Sequence, residues 1–222
     1  MAAQTLTTLR RINPAKAIFF CCDVQDAFRT VIYGFKDMLD MSAKMVQAAT
    51  ILEIPVIATE QNPKALGSTC PEVGLNALPA SLNPLGGAIA KTKFSMAVPE
   101  VMEELKRRQI SDVVIFGIES HICVLQTALD LLRVRYQITA DEEARSYNVH
   151  VVADAVSSCN RGERLVAFDR LRQSGATVTT TESILFELLG DASHPKFKAV
   201  ARLVKEAKET TRASSKNLLE TL

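Results

Sequence analysis

Short apolar runs alternate along this chain with longer stretches whose apolar residues recur at helical spacing. Residues 17–23 (AIFFCCD) form a continuous apolar run that ends in a carboxylate. A run of that length predicts a strand buried on both faces. Over 34–53, Phe35, Met38, Leu39, Met41, Met45, Val46, Ala49 and Leu52 keep the helical period. Residues 55–59 (PVIAT) predict a second strand. The Asn, Pro and Gly of 61–86 predict an irregular excursion. A third strand is expected over 88–91, followed by a helix over 97–108 with Pro99 in its first turn.

The pattern repeats in the second half. Residues 113–117 (VVIFG) predict strand four. Residues 120–132 predict a helix apolar nearly all round, and therefore buried. Strand five is expected over 150–153, ending before Asp154. Helix 161–173 should start after Asn160, with Glu163 as capping-box partner, and stop at Gly175. A sixth strand over 176–180, a short helix over 182–189 and a basic amphipathic helix over about 195–209 follow.

Six strand–helix alternations predict an α/β fold, a parallel sheet covered on both faces with right-handed crossovers. No repeat or linker divides the chain, so residues 1–222 read as one domain. Its core spans about 15–205, and a Ser/Lys/Thr-rich tail over 210–222 should fray. Residues 133–148 (RVRYQITADEEARSYN) exceed the usual connection of about 2–6 residues. They predict an insertion or a helical extension with its DEEAR stretch facing solvent.

Composition narrows the function classes. Of 222 residues, 47% are hydrophobic and 23% charged, which excludes a disordered or fibrous chain. The net charge of +1, from 26 basic and 25 acidic residues, supplies no field to draw nucleic acid or an anionic membrane. With no Trp and three Tyr, stacking platforms for bases are few. The seven Lys and Arg from Pro195 onward carry one aromatic, Phe197, and read as a solvated helix face. No run of about 18 apolar residues is present to span a membrane. Five cysteines without zinc spacing or a secretory h-region suggest reduced thiols and a cytoplasmic setting. Arg10, Arg11 and Lys16, with no acid before Asp23, faintly resemble a mitochondrial presequence, which is the alternative.

Candidate chemistry follows from the topology, because open parallel sheets bind ligands beyond the carboxyl ends of their strands. Asp23, Lys91 and Asp154 end or follow strands one, three and five, and Cys123 follows strand four. With Ser120 as N-cap, Cys123 would sit at the third helical position, where unpaired N–H groups and the helix dipole favour a thiolate. A nearby carboxylate could accept the thiol proton, and backbone N–H groups could hold an oxyanion. Read singly, each residue has a structural alternative: a small buried hydrophobe for Cys123, a cap or solvated charge for Asp23 and Lys91. His121, two residues before Cys123, does not face it on a helix. Cys21 and Cys22 read as core and Cys70 as an exposed loop thiol. Cys159, in the SSCN loop, could serve a pocket edge or a redox role. His150 and His194 read as structural or solvent-facing.

Four segments in order resemble the isochorismatase-like (cysteine) hydrolases. CDVQDAF (22–28) is similar to the D-x-Q-x-x-F signature, and AKTKFSM (90–96) to a Lys followed by x-x-F-S. GIESHICVLQTALDLL (117–132) is similar to a G-[IV]-x-x-x-x-C run, and VVADAVSSCN (151–160) to V-x-D-A-x-S. ATEQNP (58–63) and RLRQSGA (170–176) resemble the small isochorismatase-domain-containing subgroup. The resemblance implies a three-layer α-β-α fold with strand order 3-2-1-4-5-6. It also implies a Cys123 nucleophile, an Asp23 general base and Lys91 as electrostatic partner of both. A cis peptide at Ile118–Glu119 would aim an N–H at the oxyanion beside Cys123, and Phe28 and Phe94 would line the pocket. Lys93 competes with Lys91 for the lysine position, but the family spacing selects Lys91.

Departures refine the expected substrate. The stretch 59–70 (TEQNPKALGSTC) has no His where nicotinamidases carry a metal-binding D-x-H-x-H cluster, so no metal and no cofactor are expected. A retained Cys123 points away from vinyl-ether cleavage of isochorismate and toward a small amide-like or related carbonyl substrate, with a thioester intermediate. Family members commonly assemble, so a homodimer or larger is expected. The alternatives are an idle binding module of the same fold, or a ribonuclease, a label borne by protozoan relatives. The residues offer no paired His or clustered carboxylates for RNA cleavage.

Overall fold

A computed structural model describes residues 11–134 and 146–219. Six strands, β1 (Ala17–Cys22), β2 (Val56–Gln61), β3 (Ile89–Lys91), β4 (Asp112–Ile118), β5 (Asn148–Ser157) and β6 (Thr177–Thr179), form one sheet. The order is β3-β2-β1-β4-β5-β6, and every neighbouring pair is parallel. The expected fold class and strand order are therefore present.

Alternation along β1 explains why its sequence is apolar throughout. Ala17, Phe19 and Cys21 join one core with helices α1 (Phe35–Leu52), α6 (Thr181–Leu189), α7 (Phe197–Glu206) and α8 (Lys208–Leu219). Ile18, Phe20 and Cys22 join the other, under α3 (Pro99–Arg107), α4 (Leu125–Arg133) and α5 (Arg161–Gln173). A central parallel strand has no solvent face, so both side-chain sets must be apolar. The 61–86 excursion holds the single-turn helix α2 (Pro63–Leu66) and the short 3-10 turns Pro71–Val73, Leu75–Ala77 and Ala80–Leu82.

Several expectations are corrected. β5 does not end before Asp154 but runs on to Ser157 through a bulge, where Ile115 pairs with Val151 and Gly117 with Val156. Asp154 can stay inside because Thr181 donates to its Oδ1 from N (2.8 Å) and Oγ1 (2.9 Å). Burial foremost raises the Asp154 carboxyl above its ordinary range. The helix expected from Ser120 begins instead as a wide turn, Ser120–Val124, capped by Glu119, before regular α4 starts. Asn160 does precede α5, but its side chain makes no cap bond; the amide points to Cys159 Sγ (3.6 Å). The capping box with Glu163 is therefore not formed on the Asn160 side.

Residues 210–219 are helical rather than irregular. The basic helix expected over 195–209 is two helices, α7 and α8, and α8 buries Ser214 and Leu218. The cause is Arg164, 1% exposed, whose guanidinium donates to Val156 O (3.2 Å), Ala153 O (3.0 Å) and Leu218 O (2.6 Å). One cation thus satisfies carbonyls on β5, around its bulge, and the end of α8. Desolvation lowers the Arg164 pKa to about 10, still well above neutrality. Most of the 133–148 insertion, residues 135–145, lies outside the described residues, as do residues 1–10 and 220–222. No helix among the described residues is long and apolar enough to cross a membrane.

Candidate active site

The parallel register brings the ends of β1, β2, β3 and β4 to one edge of the sheet. Asp23 is the first residue past β1, with a left-handed φ of 51°. Asp tolerates this backbone better than most residues. The turn is held by Asp23 N donating to Thr59 O (3.2 Å) and Gln25 N to Asp23 O (2.8 Å). Lys91 closes β3 two strands away, and its Nζ meets Asp23 Oδ2 at 2.7 Å. Both side chains are buried.

The surroundings of this pair leave little slack. Lys91 Nζ also donates to Gln61 Oε1 (2.9 Å) and Phe94 O (2.9 Å), so its three protons have three acceptors. Asp23 Oδ1 accepts from Thr59 Oγ1 at 2.7 Å. Full pairing is what makes a buried charge tolerable. Gln25, fully buried, braces the end of β2: its amide donates to Gln61 O (3.0 Å) and Gly67 O (2.7 Å) and accepts from Gln61 N (2.7 Å). Sequence reasoning missed Thr59, Gln61 and Gln25 as members of the site. The glutamine inside CDVQDAF and the polar TEQ end of β2 were the available signals.

Cys123 reaches the same edge through the wide turn after β4. Val124 N bonds to Glu119 O (3.1 Å), five residues back, and the Ile118–Glu119 peptide is cis. Thr127 Oγ1 donates to Cys123 O (2.6 Å) and accepts from Met96 N (2.9 Å), tying this turn to the segment after Lys91. Gly117 is required just before the turn. Its φ is 112°, and an added Cβ would sit 2.2 Å from Cys22 O. Only glycine lets β4 pass β1 there.

Cys22 links the three residues. It faces the same core as Cys123, its thiol contacts the Cys123 thiol, and its Sγ lies 3.8 Å from Asp23 Oδ2. Burial first, then the contact with Cys123 and the charge of Asp23, push the Cys22 thiol well above its ordinary range. Cys22 is thus a protonated neighbour. The structure gathers Asp23 and Lys91 into one ion pair and brings Cys123 against Cys22 beside it.

Other predicted residues fall as follows. The Ile118 side chain is core, and Glu119 Oε2 accepts from Cys159 N (2.7 Å). Phe94 is 49% exposed, while Phe28 packs partly buried against the α1-side core. Lys93 bonds Asp130 (2.7 Å) at the surface, outside the buried pair. Cys70 is not an exposed thiol: it is 1% exposed, 3.4 Å from Asp26 Oδ1, and raised to about 12, mainly by burial. His150 is buried, within 3.5 Å of Asp112. A cleft of about 210 Å³, lined in part by Glu60, Thr69, Cys70 and Asn83, opens beside the β2–β3 connection and touches none of Asp23, Lys91 or Cys123.

An isochorismatase-domain profile matches residues 17–183, a span that contains all three residues and all six strands. The chain belongs to the isochorismatase family. It is 44% identical over 205 residues to isochorismatase domain-containing protein 2 of Xenopus laevis, covering 90% of this chain and 91% of that one. It is 42% identical over 201 residues to isochorismatase domain-containing protein 1 of Danio rerio, covering 90% of this chain but only 65% of that longer protein. A solved structure described as the MAR1 ribonuclease of Caenorhabditis elegans superposes with a TM-score of 0.74 at 40% identity, over 88% of this chain and 93% of that one. The isochorismatase-type chain therefore has the fold of the family's hydrolases. Its segment 59–70 offers Glu60 and Cys70 as metal donors, with Glu60 Oε1 already taking Thr69 N (2.7 Å) and Oγ1 (2.8 Å). That donor set does not fit a nicotinamidase-type histidine cluster, and no step is assigned to one.

Proposed function

We propose that this chain is a cysteine hydrolase acting on a small amide-like or related carbonyl compound through Cys123, Asp23 and Lys91. The observation that carries this reading is the buried 2.7 Å Asp23–Lys91 pair at the strand ends, with Cys123 beside it. Lys91 has no free proton-acceptor role, because its three protons are committed. It holds Asp23 in place and supplies fixed positive charge. A carboxylate offers about four acceptor positions, so Asp23 keeps room for a thiol proton.

In this mechanism Asp23 takes the Cys123 proton as sulfur attacks the carbonyl carbon, and the C=O electron pair moves to oxygen. Backbone N–H groups of the Glu119–Cys123 turn stabilise that oxyanion. Asp23 returns the proton to the departing nitrogen, which leaves a thioester. Asp23 then deprotonates water, which attacks the thioester. The carboxylic acid leaves, and the proton returns to Cys123. Phe94 and Phe28 shape the apolar side of the entrance. Assembly into at least a dimer, in the cytoplasm, belongs to the same proposal, and light scattering and fractionation check it.

The test is hydrolysis of a panel of small amides and carbamoyl compounds, with intact-mass detection of an acyl adduct on Cys123. Cys123→Ala should abolish both while leaving the circular dichroism spectrum unchanged. Turnover surviving Cys123→Ala would sink the mechanism. The name of the C. elegans relative favours a second reading, RNA cleavage. RNase activity that co-purifies with the chain and persists in Cys123→Ala would support that reading instead.

A further inference from the structure

Two segments meet beside the turn that carries Cys123: Glu119–Ser120–His121 and Ser158–Cys159. Glu119 Oε2 accepts from Cys159 N at 2.7 Å. His121 Nδ1 lies 2.9 Å from Ser158 Oγ, which also contacts Ser120 Oγ. One donor atom each from Glu119, His121 and Cys159 falls within 4.8 Å of the others. It is the one such three-residue group of His, Cys, Asp and Glu among the described residues.

Donors about 2.0–2.3 Å from a tetrahedral cation stand roughly 3.3–3.8 Å apart. Closing from 4.8 Å asks for a shift of roughly 1 Å, and Cys159 is exposed, its Sγ contacted by Asn160 Nδ2 at 3.6 Å. The backbone hydrogen bond and the Ser158 hydroxyl already orient the Glu119 and His121 side chains, as outer partners do around metal ligands. We propose that Glu119, His121 and Cys159 form a site for one zinc-class divalent cation, clamping the Cys123 turn to the loop after β5. Thiolate with imidazole selects zinc-class ions over magnesium or calcium, which prefer oxygen-only shells. Three protein ligands leave a fourth position open. The two ligand charges, thiolate and carboxylate, match the cation's charge.

A thiol binds the cation only as its thiolate. Uptake therefore releases a proton and strengthens as pH rises. The site lies apart from the Asp23–Lys91 pair and does not depend on the hydrolase reading.

The experiment titrates chelator-treated full-length chain with Co²⁺, following near-ultraviolet thiolate-to-metal absorption and one-proton release. One equivalent should bind, Zn²⁺ should displace it, and the melting temperature should rise with Zn²⁺ concentration. Cys159→Ser should abolish the absorption. His121→Ala should weaken binding by more than about 100-fold, beyond what loss of an outer partner costs. Both variants should melt like the chelator-treated wild type without metal, which shows that they fold. Cys123→Ala and Cys22→Ala should keep the signal. No binding, an unchanged signal in Cys159→Ser, or a signal lost only in Cys123→Ala or Cys22→Ala would overturn the proposal.

Discussion

Two buried acid–base pairs join strands at opposite edges of the sheet, and they are built differently. At the carboxyl edge, Asp23 and Lys91 are 2.7 Å apart, and Thr59, Gln61 and the Phe94 carbonyl fill their remaining sites. At the amino edge, Asp112 of β4 and His150 of β5 are 3.5 Å apart. There Asp112 is served by Ser111 Oγ (2.5 Å) and Asn148 Nδ2 (3.0 Å), while neither ring nitrogen of His150 has a hydrogen bond. The first pair is held from every side, so its geometry is fixed before any ligand arrives. The second is a loose contact around one well-served carboxylate. Position in the fold decides the difference: ligands enter a parallel sheet at the carboxyl edge, and the amino edge needs only to be stable.

The sharpest way to break the comparison is to remove one cation from each edge. Lys91→Met leaves the Asp23 carboxylate buried and unpaired, a loss of about 3–5 kcal/mol of stability by urea unfolding, together with hydrolytic activity. Adding Asp23→Asn to it should recover part of the stability and none of the activity. Recovery of activity would show that the pair is not part of the machinery.

His150→Met should cost about 1 kcal/mol, because only the 3.5 Å contact with Asp112 is lost and Ser111 and Asn148 still serve that carboxylate. Activity should be retained. A loss as large as that of Lys91→Met would mean the two edges are alike.

The smallest effect is in the acid range. Burial alone would raise the Asp112 carboxyl, but His150, Ser111 and Asn148 outweigh it and hold it below the usual carboxylate value. A depressed folded value adds stability above the unfolded value of about 3.9, lost as pH falls through the folded one. Unfolding measured from pH 5 downward should therefore be less pH-dependent in Asp112→Asn than in the wild type. Equal slopes would remove Asp112 from the account.

Much of this was legible along the chain. The continuous AIFFCCD run required a two-faced central strand, and the β1 alternation between the two cores fulfils it. That Asp23, Lys91 and Cys123 lie toward one end of the sheet was readable because strand ends in a parallel sheet converge. Asp154 misled, because a carboxylate inside a strand is unfavourable unless donors arrive from elsewhere, and Thr181 lies 27 residues away. Cys70 misled for the same reason: nothing local buries a thiol in a Pro/Gly-rich excursion.

The sequence by itself determined the periodicities, the strand-end chemistry and the family signatures, since these depend on neighbours within a few residues. Only the tertiary structure decided which polar groups are satisfied inside. Gln25 bracing Gln61, Cys22 lying against Cys123, and Arg164 drawing Leu218 and α8 into the core all join residues more than 35 positions apart. A buried polar group is stable only where its partners are, and that is a property of three-dimensional position rather than local sequence.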